Sequence, residues 1–154
     1  MTELYILVGN VGLGKSFFAK ELAKLDVVVV NMDSIQQSIS GGEYGAYDEN
    51  KKSIYRKVEI SLIEEAFSCG FSVCIDRTNM DRKRRERFIN IGKKFTDDII
   101  CFNFGKGSDD SLARRIEDNR GISEEVWINL HNKLKGSYEK PLYAEGFSRI
   151  FECP

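Results

Sequence analysis

Residues 9–16 read GNVGLGKS, a Gly-x-x-x-x-Gly-Lys-Ser pattern. Glycines in such a segment let successive backbone N–H groups turn inward around a phosphate. Lys15 is then placed to reach the terminal phosphates of a nucleoside triphosphate, and Ser16 to hold Mg²⁺. The candidate ATP-binding set is Gly9, Asn10, Val11, Gly12, Leu13, Gly14, Lys15, Ser16 and Phe17, with Arg120 from further along the chain. A helix that starts near Lys15 adds its positive end to the same place. Two further clusters lie at the ends of apolar runs. Val30-Asn31-Met32-Asp33 offers a carboxylate that could take a proton from a hydroxyl. Aspartate is also a favoured helix cap, so Asp33 could instead cap a helix over Ser34–Ile39, and the two roles can coexist. Ile75-Asp76-Arg77-Thr78-Asn79 offers a second carboxylate, Asp76, for Mg²⁺ or its water, followed by donors suited to an anion.

These parts favour phosphoryl transfer, which is mainly positioning and neutralisation of charge on the moving group. A GTPase needs an Asn-Lys-x-Asp motif, and Asn132-Lys133-Leu134-Lys135 lacks its aspartate. The chain is short for an AAA-type motor, so a small kinase is the better class. A kinase also needs a cationic lid. Arg120, in the break Asn119–Gly121 between two helical patterns, is the candidate; Arg114 and Arg115 are secondary candidates, expected to be solvated.

The elements that must position these residues alternate. Leu4 to Val8, Val27 to Val30, Phe71 to Ile75, Ile99 to Phe104 and Phe147 to Phe151 read as strands. Helical spacing follows Lys15, and a loop is expected at 41–49. A long helix runs from about Asn50 with Ile54, Val58, Leu62 and Ala66 on its apolar stripe. Asp81 caps a basic helix whose apolar positions are Phe88, Ile91 and Phe95. Further helices cover about Asp109 to Asp118 and the Val126, Leu130, Leu134 stripe. Strands alternating with helices imply a parallel sheet with helices on both faces, an α/β fold whose strand carboxyl ends line the ligand crevice.

The 23 Lys and Arg against 24 Asp and Glu exclude a globally basic nucleic-acid coat but leave room for local patches. The run Arg82-Lys83-Arg84-Arg85-Glu86-Arg87 could track a nucleic-acid backbone or form a solvated face. Tyr44 and Tyr47 could touch an acceptor base. His131 is expected to be structural or exposed and Trp127 to pack. No apolar run approaches the roughly 20 residues of a membrane span, and no export signal opens the chain. A cytoplasmic protein with reduced thiols is expected; Cys69, Cys74, Cys101 and Cys153 form no CxxC.

Taken in order, GNVGLGKS, VNMDSIQQS, IDRTNMD, CFNF, RRIEDNRG and PLYAEGFSRI resemble the 5′-kinase domain of the polynucleotide kinases over nearly the whole chain. The resemblance implies a P-loop kinase fold of about five parallel strands with a helical lid at about 112–125. It implies one kinase domain over residues 1–154, without a 3′-phosphatase domain, in nucleic-acid repair chemistry. It further implies ATP as donor, Mg²⁺ on Ser16 and Asp76, and a DNA or RNA 5′-hydroxyl as acceptor. By it, Lys15, Asp33 and Arg120 are catalytic, with Asp33 as base, and Thr78 contacts the acceptor phosphate. The acceptor set is Asp33, Gln36, Arg77, Thr78 and Asn79. Phage-type members carry an arginine where this chain has Gln36, and Arg77 is the expected replacement. A small-molecule kinase and a non-catalytic ATP switch are the rival expectations.

Overall fold

A computed structural model describes residues 1–154. The five strands are β1 (Leu4–Gly9), β2 (Val28–Asn31), β3 (Val73–Asp76), β4 (Ile99–Gly105) and β5 (Arg149–Glu152). They form one sheet in the order β2-β3-β1-β4-β5, every pair parallel. Six α-helices connect them: α1 (Lys15–Ala23), α2 (Met32–Ser40), α3 (Lys52–Ser68), α4 (Arg82–Gly92), α5 (Asp109–Glu117) and α6 (Glu124–Ser137). This is the expected α/β P-loop kinase fold.

Alternation along β1 sorts the two faces of the sheet. Leu4, Ile6 and Val8 join Ile35 of α2, Tyr55 and Ile63 of α3, and Phe88 and Ile89 of α4 in the larger core. Leu7 points the other way, into a smaller core with Ala19 of α1 and Cys74, against which Phe18, Leu22 and Phe102 pack. Covered on both faces, the central strands are continuous apolar runs, as parallel strands must be.

Helix faces differ from expectation in two places. The buried face of α3 carries Tyr55, Glu59, Ile63, Ala66 and Phe67. Of the expected stripe, only Ala66 is buried; Ile54, Val58 and Leu62 are exposed. The cause is an open cleft: Val58 and Leu62 wall it instead of meeting another helix. In α6, Trp127 and His131 are buried while Val126 is exposed, one position off the expected stripe. Trp127 packs, as its type suggested, and also donates its indole N–H to Asn119 O at 2.9 Å. Phe95 lies beyond the end of α4 and stacks on Phe67 with centroids 5.1 Å apart. Phe71 precedes β3, and Phe147 is buried ahead of β5. No helix is long and apolar enough to cross a membrane.

Candidate active site

The loop from β1 to α1 is shaped by a residue that must be glycine. Gly12 has φ +75°, and a Cβ there would overlap the Ser111 backbone carbonyl of α5. Gly14, φ 86°, is the N-cap of α1, whose first turn receives no side-chain cap. Its N–H groups therefore remain open to an anion. Val11 to Phe17 line a cavity of about 320 Å³. Lys15 is 8% exposed, and its ammonium donates to Asn10 O at 2.6 Å. Burial pulls that amine down to about 8; Arg115 and Arg120 push the same way, against Asp76. Two members of the expected ATP set do not line the cavity. Gly9 donates its N–H to Thr78 O at 2.9 Å, joining the loop to β3. The fully buried Asn10 side chain donates to Lys106 O and His131 O, so it braces the loop from behind and faces away from the phosphate space.

Asp33 does not cap a helix. The α2 helix begins at Met32, two residues earlier than expected, and Asn31 caps it by accepting from Ser34 N–H at 2.9 Å. The Asp33 carboxylate is thereby left for the cleft, in the first turn of α2. Burial raises its pKa and Asp76 adds to the rise, while Arg120, the Tyr44 hydroxyl and Arg77 oppose it. Asp76, at the end of β3, lies 3.2 Å from Ser16 Oγ and accepts from Asn31 Nδ2 at 3.0 Å. A hydroxyl and a carboxylate side by side below the phosphate loop suit Mg²⁺, a hard cation that uses few protein ligands and the nucleotide's own oxygens.

Arg120 sits in the break between α5 and α6 with φ 54°. Its guanidinium lies over Tyr44, 4.9 Å from the ring centroid. Arg115 is not solvated as expected: its guanidinium stacks over Trp127 at 5.2 Å, and its side chain, 14% exposed, lines the phosphate cavity. Arg114 Nε donates to Gly12 O at 3.0 Å. The wide spacing of Arg115 and Trp127 hid their pairing, since it needs the turn at 118–123 to fold α6 back on α5.

The acceptor set separates. Arg77 and Thr78 line the phosphate cavity. Arg77 is held on Glu59 of α3, Nη1 to Oε2 at 2.9 Å, and Arg87 shares that fully buried carboxylate at 2.9 Å. Asn79 leaves the set: φ 46° turns its side chain inward, 2% exposed, to donate to Leu7 O at 2.8 Å. Gln36 lines neither major cavity, whereas Gln37 walls the larger one. That cleft, about 780 Å³, runs from Asp33 past Ala19, Ala23, Val29 and Ile39 to Val58 and Leu62. Sequence reasoning missed Glu59 and Asn31. A carboxylate on the stripe beside an apolar one, and an asparagine opening a helix, were the available signals.

The basic run is largely committed elsewhere. Arg85 is fully buried on Glu145, Arg84 pairs with Asp81, and Arg87 with Glu59. His131 is buried behind the phosphate loop, its Nε2 at 3.5 Å from Ser111 Oγ.

Residues 4–141 match a family profile described as an AAA domain. The chain belongs to that family. Its fold is that of the small P-loop kinases, and the chain is a kinase-type P-loop domain. An L-seryl-tRNA(Sec) kinase from Methanococcus maripaludis is 29% identical over 137 residues, 85% of this chain and 52% of that protein. A bifunctional polynucleotide phosphatase/kinase from Schizosaccharomyces pombe is 26% identical over 156 residues, 99% of this chain and 33% of that protein. The chain thus spans about half of the first relative and a third of the second. Among solved structures, the Pnkp1/Rnl/Hen1 RNA repair complex matches with TM-score 0.69 at 20% identity, over 92% of this chain and 48% of that one. Chaetomium thermophilum Kti12 with ADP-AlF3 gives 0.64 at 18%, over 97% and 88%. Acinetobacter baumannii shikimate kinase with shikimate gives 0.62 at 19%, over 100% and 85%. These last three likenesses are likenesses of fold.

Proposed function

We propose that this chain transfers the γ-phosphate of ATP to the 5′-hydroxyl of a polynucleotide. One observation carries the transfer: the phosphate cavity and the wide cleft meet along a shared wall that includes Ser16, Asp33, Asp76 and Arg120. A donor phosphate held by the loop therefore faces an acceptor held in the cleft. In the proposed step the acceptor oxygen bonds to the γ-phosphorus as the bond to ADP breaks. The hydroxyl proton passes to Asp33, whose raised pKa brings it closer to the operating pH of a base. Lys15 and Arg120 neutralise the moving group. Ser16 and Asp76 would hold Mg²⁺, whose charge would offset that of the phosphates.

Support for the polynucleotide comes from the relatives' names and from Arg77, which lines the phosphate cavity with Thr78. The ion-paired basic run and the apolar walls of the cleft favour the second reading, a kinase of a small molecule. The test is transfer of labelled γ-phosphate to 5′-hydroxyl DNA and RNA oligonucleotides beside nucleosides and sugars, with Asp33→Asn in parallel. Labelled oligonucleotide, lost in the variant, is the expected result. Label only on a small molecule replaces the acceptor. ATP bound with no transfer at all makes the domain a switch.

A further inference from the structure

Tyr44 lies between α2 and α3, and its ring forms part of the wall of both cavities. Its hydroxyl donates to Asp33 Oδ2 at 3.5 Å, the outer limit of a hydrogen bond. The face of its ring carries the Arg120 guanidinium at 4.9 Å. The Trp127 ring of α6 lies 6.3 Å from it. The neighbouring Gly45 touches the lid as well: a Cβ there would lie 3.2 Å from Ile122 Cδ1. Two consecutive residues of the segment after α2 thus meet the lid, and one of them also reaches the acceptor-side carboxylate. The other charged groups acting on this pair are Asp76 and Arg77 at Asp33, and Arg115 at Tyr44.

We infer that Tyr44 is a positioning residue that joins the acceptor-side base to the lid arginine, holding Asp33 through its hydroxyl and Arg120 through its ring. Tyr44→Phe removes the hydroxyl and keeps the ring over Arg120, while Tyr44→Leu removes both; Arg120 also acts on the hydroxyl itself. Both contacts lie on the donor–acceptor boundary, so lid placement and base placement become one arrangement. An aliphatic side chain at this position would wall the cavities without making either contact. The inference rests on the roles of Asp33 and Arg120 given above.

The experiment compares Tyr44→Phe, which keeps the ring, with Tyr44→Leu, which loses both contacts. Trp127 is the only tryptophan, so its fluorescence reports ADP binding at the lid without any acceptor. Tyr44→Phe should lower kcat about fivefold, leaving ATP KM and ADP affinity unchanged. Tyr44→Leu should in addition weaken ADP about fivefold, because a cation–π contact to the lid is gone. In an Arg120→Ala background, Tyr44→Leu should weaken ADP no further, since the partner of the ring is already absent. A merely structural ring would give independent losses that multiply. Wild-type kcat in Tyr44→Phe overturns the hydroxyl contact, and multiplying losses overturn the ring contact. Should the leucine variant not fold, Tyr44→Met, which keeps the bulk without an aromatic face, takes its place in the same cycle. If Asp33→Asn retains turnover, the assignment of the base has failed instead, and the ADP cycle still judges the ring.

Discussion

Replacing Arg85 with methionine should cost the fold heavily and the acceptor site little. Arg85 is fully buried, and its guanidinium makes four hydrogen bonds. Two go to the Glu145 carboxylate, at 2.7 and 3.1 Å, and two to the carbonyls of Asn79 and Met80, at 3.0 and 3.2 Å. Glu145 is itself 2% exposed and also caps Leu142 N–H at 2.7 Å. Methionine fills much of the arginine stem, so the loss is polar: a carboxylate and two carbonyls remain in the interior without a donor. Breaking a buried ion pair on one side costs about 3–5 kcal/mol. Against a total stability of about 5–15 kcal/mol, that is a large share. At about 2–4 °C per kcal/mol for a chain this size, melting should fall by roughly 10 °C. Urea unfolding of Arg85→Met, Glu145→Met and the double variant measures this. The double variant should recover part of the loss, with a coupling above about 2 kcal/mol, because no lone charge is left buried. Below its melting temperature, Arg85→Met should bind an oligonucleotide with an unchanged KM. A cost under about 1 kcal/mol, or additive single effects, would refute the architectural role. A raised KM in the folded variant would return Arg85 to the nucleic-acid surface.

Three other outcomes follow from the same geometry. Gly12→Ala should abolish ADP binding measured by calorimetry while the protein stays folded, since its Cβ displaces the loop from Ser111 O and strains a φ of +75°. Asp33→Asn should stop turnover yet raise the melting temperature at pH 7 by about 2 °C. The sign follows from burial: with the carboxyl pKa raised on folding, its contribution is favourable when protonated and lost as pH rises through the folded value, so a neutral amide relieves the cost. The gain should vanish below the ordinary carboxylate range, where aspartate is itself protonated, as scanning calorimetry against pH will show. Alkylation followed by mass spectrometry should label the exposed Cys69 first and leave Cys74 and Cys101, whose thiols burial pushes up, unlabelled until the chain unfolds.

Where the sequence was legible, one local rule dominated. A strand buried on both faces must be apolar throughout, so β1 to β4 stood out, while β5, an exposed edge strand reading RIFE, was placed two residues early; the glycine spacing of residues 9–14 announced its turn. Helix faces were harder, because an apolar residue has two destinations. Val58 and Leu62 have helical spacing but border a cleft, and no local pattern separates a cleft wall from a core. Charge was harder still. Asp33, Asp76, Lys15 and Arg120 come from four elements, and only the strand ends hinted that the first two meet. Arg85 and Arg87 look like a solvated or nucleic-acid-facing stripe beside Arg84, yet their partners Glu145 and Glu59 lie 60 and 28 residues away. Asn79 looked like a ligand because its type suits one, but a left-handed backbone turned it inward.

The positive charge that reaches the site therefore comes from scattered elements. Lys15, Arg77, Arg115 and Arg120 all line the phosphate cavity, against the carboxylates of Asp33 and Asp76. This set opposes itself. Arg115 and Arg120 depress the Lys15 amine, and Asp76 raises the Asp33 carboxyl. An arriving triphosphate reverses the first of these conflicts, because its oxygens favour the charged amine and screen the arginines from one another. The second is opposed by Arg120, the Tyr44 hydroxyl and Arg77, which act against the rise of the Asp33 carboxyl. Such mutual opposition costs stability. It is tolerable because it is confined to side chains around the cavity, while the buried pair Arg85–Glu145 and the buried Glu59 carboxylate under Arg77 fix the backbone on which they are mounted.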